Sequence, residues 1–425
     1  MRSASALRQG SDWSLLSCAV VIGLGAFALV HLTRTTSWDN ALLVPLVGMA
    51  GFVAVELYLT RRKIHHDPLL LPLVALLVGL GLALLYHVKP QVLGQQAISL
   101  LLGLVTLAAT CHLRDVRALT RYKYTLMLLG IALLLLVIFA GHPLGAREVR
   151  LGIRVGAFSF QPSELVRILL VIFLAGFLAE KREVLAYGAR GGWQLSRADM
   201  RYLGPMMVLW GLVMLLLIRQ QDLGMALLFF GIFLAMLYLA GARAVYLIIG
   251  ITAFALGAYL AYRLFPHVRT RFDIWLNPWA DIDNKGYQIV QSLFALSGGG
   301  LLGAGLGQGG AHRVPAVHTD LIFAAAAEEL GLLGATAILL VFALIAYRGY
   351  RIACRARDDV SVLMAGGLTT ALALQVLIIV GGVVKMTPLT GVTLPFMSYG
   401  GSSLISNFLL IGLLLVISGE SPMRR

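Results

Sequence analysis

HTDLIFAAAAEELG, His318 to Gly331, closes the one long polar, Gly-rich interruption in a chain otherwise built of hydrophobic spans, an interruption that begins at Phe265. One acid, Asp320, stands at the mouth of the apolar run, and Glu328 and Glu329 lie inside it. In a continuous helix those two sit about 12 Å deeper than Asp320, at a rise of about 1.5 Å per residue. Charge at membrane depth is expensive and is tolerated where a partner or a function compensates it. This segment is therefore where chemistry is expected.

Outward from it, the chain reads as membrane. Mean hydropathy is +0.87, and 59% of residues are hydrophobic against 13% charged, a balance that leaves a water-soluble fold too little polar surface. Apolar runs fall at roughly residues 13–32, 41–60, 68–86, 91–111, 123–140, 163–180, 205–218, 222–240, 244–264, 320–347, 361–384 and 404–418, where a span needs about 20 apolar residues. Backbone in lipid must satisfy its own polar groups, so these are helices and the expected class is all-α, a polytopic protein of about twelve spans. The first run is read as an anchor rather than a removed signal peptide. With twelve spans the termini share a side, and 21 of the 34 Lys and Arg residues lie in loops there against 12 opposite, which predicts cytoplasmic termini. The net charge of +14 is then topology rather than a sign of nucleic acid. Cys18, Cys111 and Cys354 show no CxxC spacing and support neither a disulfide framework nor a zinc site.

The polar residues within this frame have readings of their own. In FQPSELVR, Gln161, Pro162, Ser163 and Glu164 open a span in ordinary helix-start fashion. Arg167, three residues past Glu164, makes an internal ion pair that is either structural or ligand-facing. The outside loop before it carries Arg147, Arg150 and Arg154, a solvated loop or a phosphate site. Asp222 in RQQDLG is placed to cap the eighth span. In the large extracytoplasmic loop, 265–319, Ile289, Val290, Leu293 and Phe294 recur at helical spacing and predict an interfacial helix on the outer leaflet, with Trp275, Trp279 and Tyr287 as interface aromatics. Gly305, Gly307 and Gly310 form a formal GxGxxG, but it follows no strand, so a re-entrant or flexible loop with amides available to an anion is expected instead of a dinucleotide site. Thr319 and Asp320 would suit a helix cap. The neighbouring His318, the deeper Glu328 and Glu329, and the loop cations Arg269, Arg271 and Arg313 favour a functional acid. Lys385 to Ser403, with Lys385 and Ser398, reads as a broken, cavity-lining segment.

In combination FSFQPSE (158–164), DLG at Asp222, RxR at Arg269 and Arg271, GYQIVQS (286–292), GLGQG at Gly305, the HTD segment and PLTGVTLPFMSYGGSS (388–403) resemble the SEDS family of shape, elongation, division and sporulation proteins, the RodA, FtsW and SpoVE group. The resemblance covers about residues 68–418 and implies a ten-helix core, preceded here by two appended helices in residues 1–60, with the core domain over 61–425. It also implies a peptidoglycan glycosyltransferase that polymerises lipid II at the outer face of the bacterial cytoplasmic membrane, alongside a class B penicillin-binding transpeptidase. The catalytic acid falls on Asp320. Candidate substrate contacts are Gln161, Ser163, Glu164, Arg167, Asp222, Arg269, Arg271, His318, Thr319, Glu328, Glu329, Lys385 and Ser398. No organic cofactor is expected, because the pyrophosphate donor is already energised; Mg or Mn is an alternative to side-chain cations at the leaving group. Gly152 stands where the family usually has Trp, and Thr390 where division members tend to have Lys. Two other classes compete with this reading: a lipid II transporter, which would need polar residues across the full membrane, and a non-catalytic scaffold, for which Asp320 would be dispensable.

Overall fold

The described residues form fifteen α-helices: α1 (Arg2–Arg34), α2 (Leu43–Arg61), α3 (Leu70–Val88), α4 (Leu93–Thr110), α5 (Arg117–Arg121), α6 (Lys123–Ala140), α7 (Pro162–Tyr187), α8 (Arg197–Arg219), α9 (Leu223–Leu239), α10 (Ala244–Leu264), α11 (Pro266–Leu276), α12 (Tyr287–Gly298), α13 (Ile322–Arg355), α14 (Asp359–Val383) and α15 (Gly401–Glu420). They belong to a computed structural model that describes residues 2–34, 40–113, 115–143, 150–155, 158–187, 197–241 and 244–420. Ten of the helices, α1–α4, α6, α7, α10 and α13–α15, are long and apolar enough to cross a membrane, and the apolar parts of α8 (Gly204–Arg219) and of α9 are shorter. Their outward faces are aliphatic or aromatic: Val105, Phe139, Leu215 and Ile251 are each at least 60% exposed. Lipid solvates such faces at no penalty, and the protein is a multi-pass membrane protein.

The chain divides into two units, Met1–His112 with Arg271–Arg348 and Gln375–Gly419, and Leu113–Thr270 with Gly349–Leu374 and Glu420–Arg425. In the first unit α3 is the central helix, buried almost throughout from Leu70 to His87. Its glycines set the packing. A Cβ on Gly79 would lie 2.7 Å from Gly23 Cα of α1, and one on Gly81 would lie 2.7 Å from Met397 Cα, so both backbones approach only because a side chain is missing. The small face of Gly79, Gly81 and Ala83 thus receives a helix and a loop. Residues in 1–60 pack intimately here: Phe27 stacks on Tyr86 at 4.8 Å, Arg34 donates to the Tyr86 carbonyl at 2.8 Å, and Gly48 and Gly51 face Leu100 and Leu104.

In the second unit α7 plays the same part, with Val166 to Leu178 almost wholly buried. Before α7 the described residues are extended. They form a small antiparallel sheet of β1 (His142–Pro143), β2 (Arg150–Val155) and β3 (Phe158–Phe160), in the order β1-β2-β3. Arg154 stands opposite Ser159 in this sheet; Arg150 lies on β2, and Arg147 lies outside the described residues.

A larger departure from expectation is in α13. The helix expected over 320–347 begins at Ile322 and is broken at Gly331, whose φ of 69° and ψ of −174° are non-helical. A Cβ there would strike the backbone of Leu301 to Gly303, so glycine alone fits.

Candidate functional site

Asp320 occupies a turn, two residues ahead of α13. Leu321, not Thr319 or Asp320, supplies the carbonyl that takes the first helical N–H groups, from Ala324 and Ala325. Thr319 Oγ1 donates back to Ala316 at 3.0 Å, and the Asp320 amide donates to the same carbonyl at 3.2 Å. Asp320 is 7% exposed.

The 385–403 loop clamps this turn from a second direction. Ser398 Oγ donates to the Thr319 carbonyl at 2.6 Å and accepts from the Leu394 amide at 2.9 Å. The Tyr399 amide donates to the His318 carbonyl at 2.8 Å. Behind them, Gln96 of α4 donates to the Ser398 carbonyl at 3.2 Å. Arg271 reaches the Thr390 carbonyl at 3.4 Å, and Trp275 Nε1 donates to the Lys385 carbonyl at 3.1 Å. Lys385 itself holds a positive φ of 62° at the turn out of α14.

Lys89, which terminates α3, places its Nζ 3.2 Å from His318 Nε2. An ammonium has only donors, so Nε2 accepts and the neutral imidazole carries its proton on Nδ1. Burial and the Lys89 charge push the His318 pKa down to about 4. Sequence reasoning passed over Lys89, although it is a cation at the outer end of a span.

Two amides of the Gly-rich loop are taken up by the chain's own acids. Glu329 accepts from the Gly307 amide at 2.8 Å and Glu328 from the Gly310 amide at 2.9 Å, so the anions they meet belong to the chain itself. His87 Nε2 lies 3.0 Å from the Gly309 carbonyl and 3.8 Å from Glu329.

A second cluster forms in the second unit. Asp222 caps α9 through the Met225 amide at 3.3 Å, and its other oxygen lies 3.4 Å from both Gln161 Nε2 and Ser163 Oγ. One turn along α7, Arg167 pairs with Glu164 at 3.4 Å, with both side chains nearly or wholly buried. Arg269 and Arg271 share α11 two residues apart, about 200° around the helix, so they do not form one cationic face. Arg269 is exposed beside the Tyr262 ring. The first unit therefore gathers His318, Thr319, Asp320, Arg271, Glu328, Glu329, Lys385 and Ser398, and the second Gln161, Ser163, Glu164, Arg167, Asp222 and Arg269. Among the described residues no three His, Cys, Asp or Glu side chains assemble as a metal-ligand set.

The family model described as "Cell cycle protein", covering FtsW, RodA and SpoVE, matches residues 69–422. Peptidoglycan glycosyltransferase RodA of Mycobacterium tuberculosis is 39% identical over 98% of this chain and 92% of its own. Stage V sporulation protein E of Bacillus subtilis is 34% identical over 85% and 100%. Among solved structures, a chain of a peptidoglycan synthase complex superposes with a TM-score of 0.70 at 28% identity, over 83% of this chain and 97% of its own. Thermus thermophilus rod shape determining protein RodA gives 0.61 at 28% identity, over 83% and 96%. The chain belongs to the FtsW/RodA/SpoVE family of membrane proteins.

Proposed function

We propose that the protein is a peptidoglycan glycosyltransferase that polymerises lipid II into glycan strands at the outer face of the bacterial cytoplasmic membrane, in cell elongation, shape or division, with Asp320 as general base. The observation that carries this reading is the buried Asp320 in a turn held by Ser398 and Tyr399, beside a His318 whose Nε2 is occupied by Lys89. A neutral imidazole engaged at its acceptor nitrogen cannot take up a proton there, which leaves the carboxylate as the base.

In the reaction the 4-hydroxyl of one sugar attacks the anomeric carbon of the other with inversion. Its proton passes to Asp320, and the bond to pyrophosphate breaks with the electron pair leaving on undecaprenyl pyrophosphate. Positive charge toward that leaving group comes from Lys385 and Arg271, with Lys89 close to the same turn. A divalent cation, where used, would supply the same positive charge at the pyrophosphate as these side chains. The likeness to a chain of a solved synthase complex supports a class B penicillin-binding transpeptidase as partner, and the Lys and Arg distribution supports cytoplasmic termini and an inner-membrane location.

The test is purified protein with its transpeptidase partner and lipid II. Glycan polymer released with undecaprenyl pyrophosphate supports the enzyme; lipid II crossing protein-containing vesicles without polymer overturns it in favour of a transporter.

A further inference from the structure

Glu328 and Glu329 sit where the sequence alone suggests substrate ligands, yet one oxygen of each carboxylate is engaged by a loop amide of the chain itself. Glu329 is 1% exposed and holds the Gly307 amide; Glu328 holds the Gly310 amide. The helix break at Gly331 adds a short ladder to the same loop: the amides of Ala304 and Gly305 donate to the carbonyls of Glu328 and Glu329, and those of Leu332 and Leu333 donate to Gly300 and Leu301. His87 grips the Gly309 carbonyl from α3. Gly307 packs on Val30 and Thr33 of α1, a helix that lies before the family-matched region.

From this latch the chain runs to Asp320 through consecutive turns. Arg313 donates to Gly310, Val314 to Ala311, Val317 to Val314, and Asp320 to Ala316. The Glu328 carboxylate thus fixes the first residue of a series of hydrogen-bonded turns whose last residue is Asp320. We infer that Glu328 and Glu329 are positioning residues, which act through the Gly-rich loop to place Asp320 and do not bind lipid II. This rests on Asp320 being the base.

Two measurements test it on the full-length protein with its partner. The first is amide hydrogen exchange over residues 300–320 in Glu328→Ala and Glu329→Ala, which reads the latch whatever Asp320 does. Faster exchange is expected; unchanged exchange overturns the latch while leaving the glycosyltransferase reading intact. The second is lipid II polymerisation. In either Ala variant kcat should fall at least about tenfold, as expected for a displaced reacting group, with KM unchanged within about twofold. Glu329→Gln, whose amide oxygen still accepts from Gly307, should recover most of kcat. Gly310→Pro deletes the donor that Glu328 holds, at a φ of −91° near the proline range. Combined with Glu328→Ala it should add no further loss, because both remove one bond. A raised KM with kcat preserved, or additive losses in the double variant, makes Glu328 a substrate ligand and overturns the inference. Faster exchange with unchanged kcat also overturns it.

Discussion

Gly81→Ala tests whether α3 sets the position of the turn that carries Asp320. The new Cβ would lie 2.7 Å from Met397 Cα, 2.9 Å from the Met397 carbonyl oxygen and 3.1 Å from that of Phe396. Carbon–carbon contacts settle at about 3.5–4.0 Å, so the segment must retreat by roughly 0.8 Å or more. The atoms met are backbone and cannot rotate away. Overpacking of this kind costs about 1–3 kcal/mol of stability. Its reach is what matters, because Ser398 and Tyr399, the next two residues, hold the Thr319 and His318 carbonyls. A displacement of about 1 Å at a reacting group can lower the rate by about 10²-fold, so a loss of roughly ten- to a hundredfold in kcat is expected. The assay is lipid II polymerisation by detergent-purified protein, with thermal unfolding measured alongside. Gly94→Ala is the control: a Cβ there meets nothing within 4 Å. Activity of Gly81→Ala within about twofold of wild type would refute the argument, since it would put the turn outside the reach of a forced displacement.

Two other perturbations address charge. Arg167→Met leaves the buried Glu164 without its cation and should cost about 3–5 kcal/mol, whereas Arg167→Met with Glu164→Gln should regain much of it; thermal unfolding of the three proteins checks this, and equal losses in the single and double variants would contradict it. His318, held down to about 4 by burial and Lys89, favours the neutral ring in the fold. Its contribution to stability is complete above the ordinary histidine value of about 6.5 and is lost as pH falls from there toward 4. The melting temperature should therefore decline over that window in wild type and decline less in His318→Gln; parallel profiles would count against it.

How much of this could be read from the sequence differs by the range of the contact. Ten of the twelve expected spans were legible because each is a run of apolar residues, and the Glu164–Arg167 pair because its partners stand one turn apart on one helix. Asp222 as a cap was equally local. The break at Gly331 was not legible: FAAAAEELGLLGA is good helical composition, and what breaks it is a set of backbone bonds to residues 300–305, remote in sequence. For the same reason the acids Glu328 and Glu329 looked like an accessible set until their partners, the amides of the Gly-rich loop, were in place. Lys89 lies 229 residues from His318, so nothing near it in the chain announces the pair. The strands before α7 are too short for alternation to stand out, β3 being three residues long. The helices of residues 1–60 read as an appendage, whereas Phe27 and Arg34 close on Tyr86 and Val30 and Thr33 close on Gly307.

The measurement that bears most directly on the account is polymerisation of lipid II by the purified protein and its transpeptidase partner, wild type beside Asp320→Ala, with folding of the variant verified by its thermal transition. Polymer from the wild type and none from the folded variant is the expected result. Polymer from both would contradict it, because a dispensable Asp320 cannot be the base.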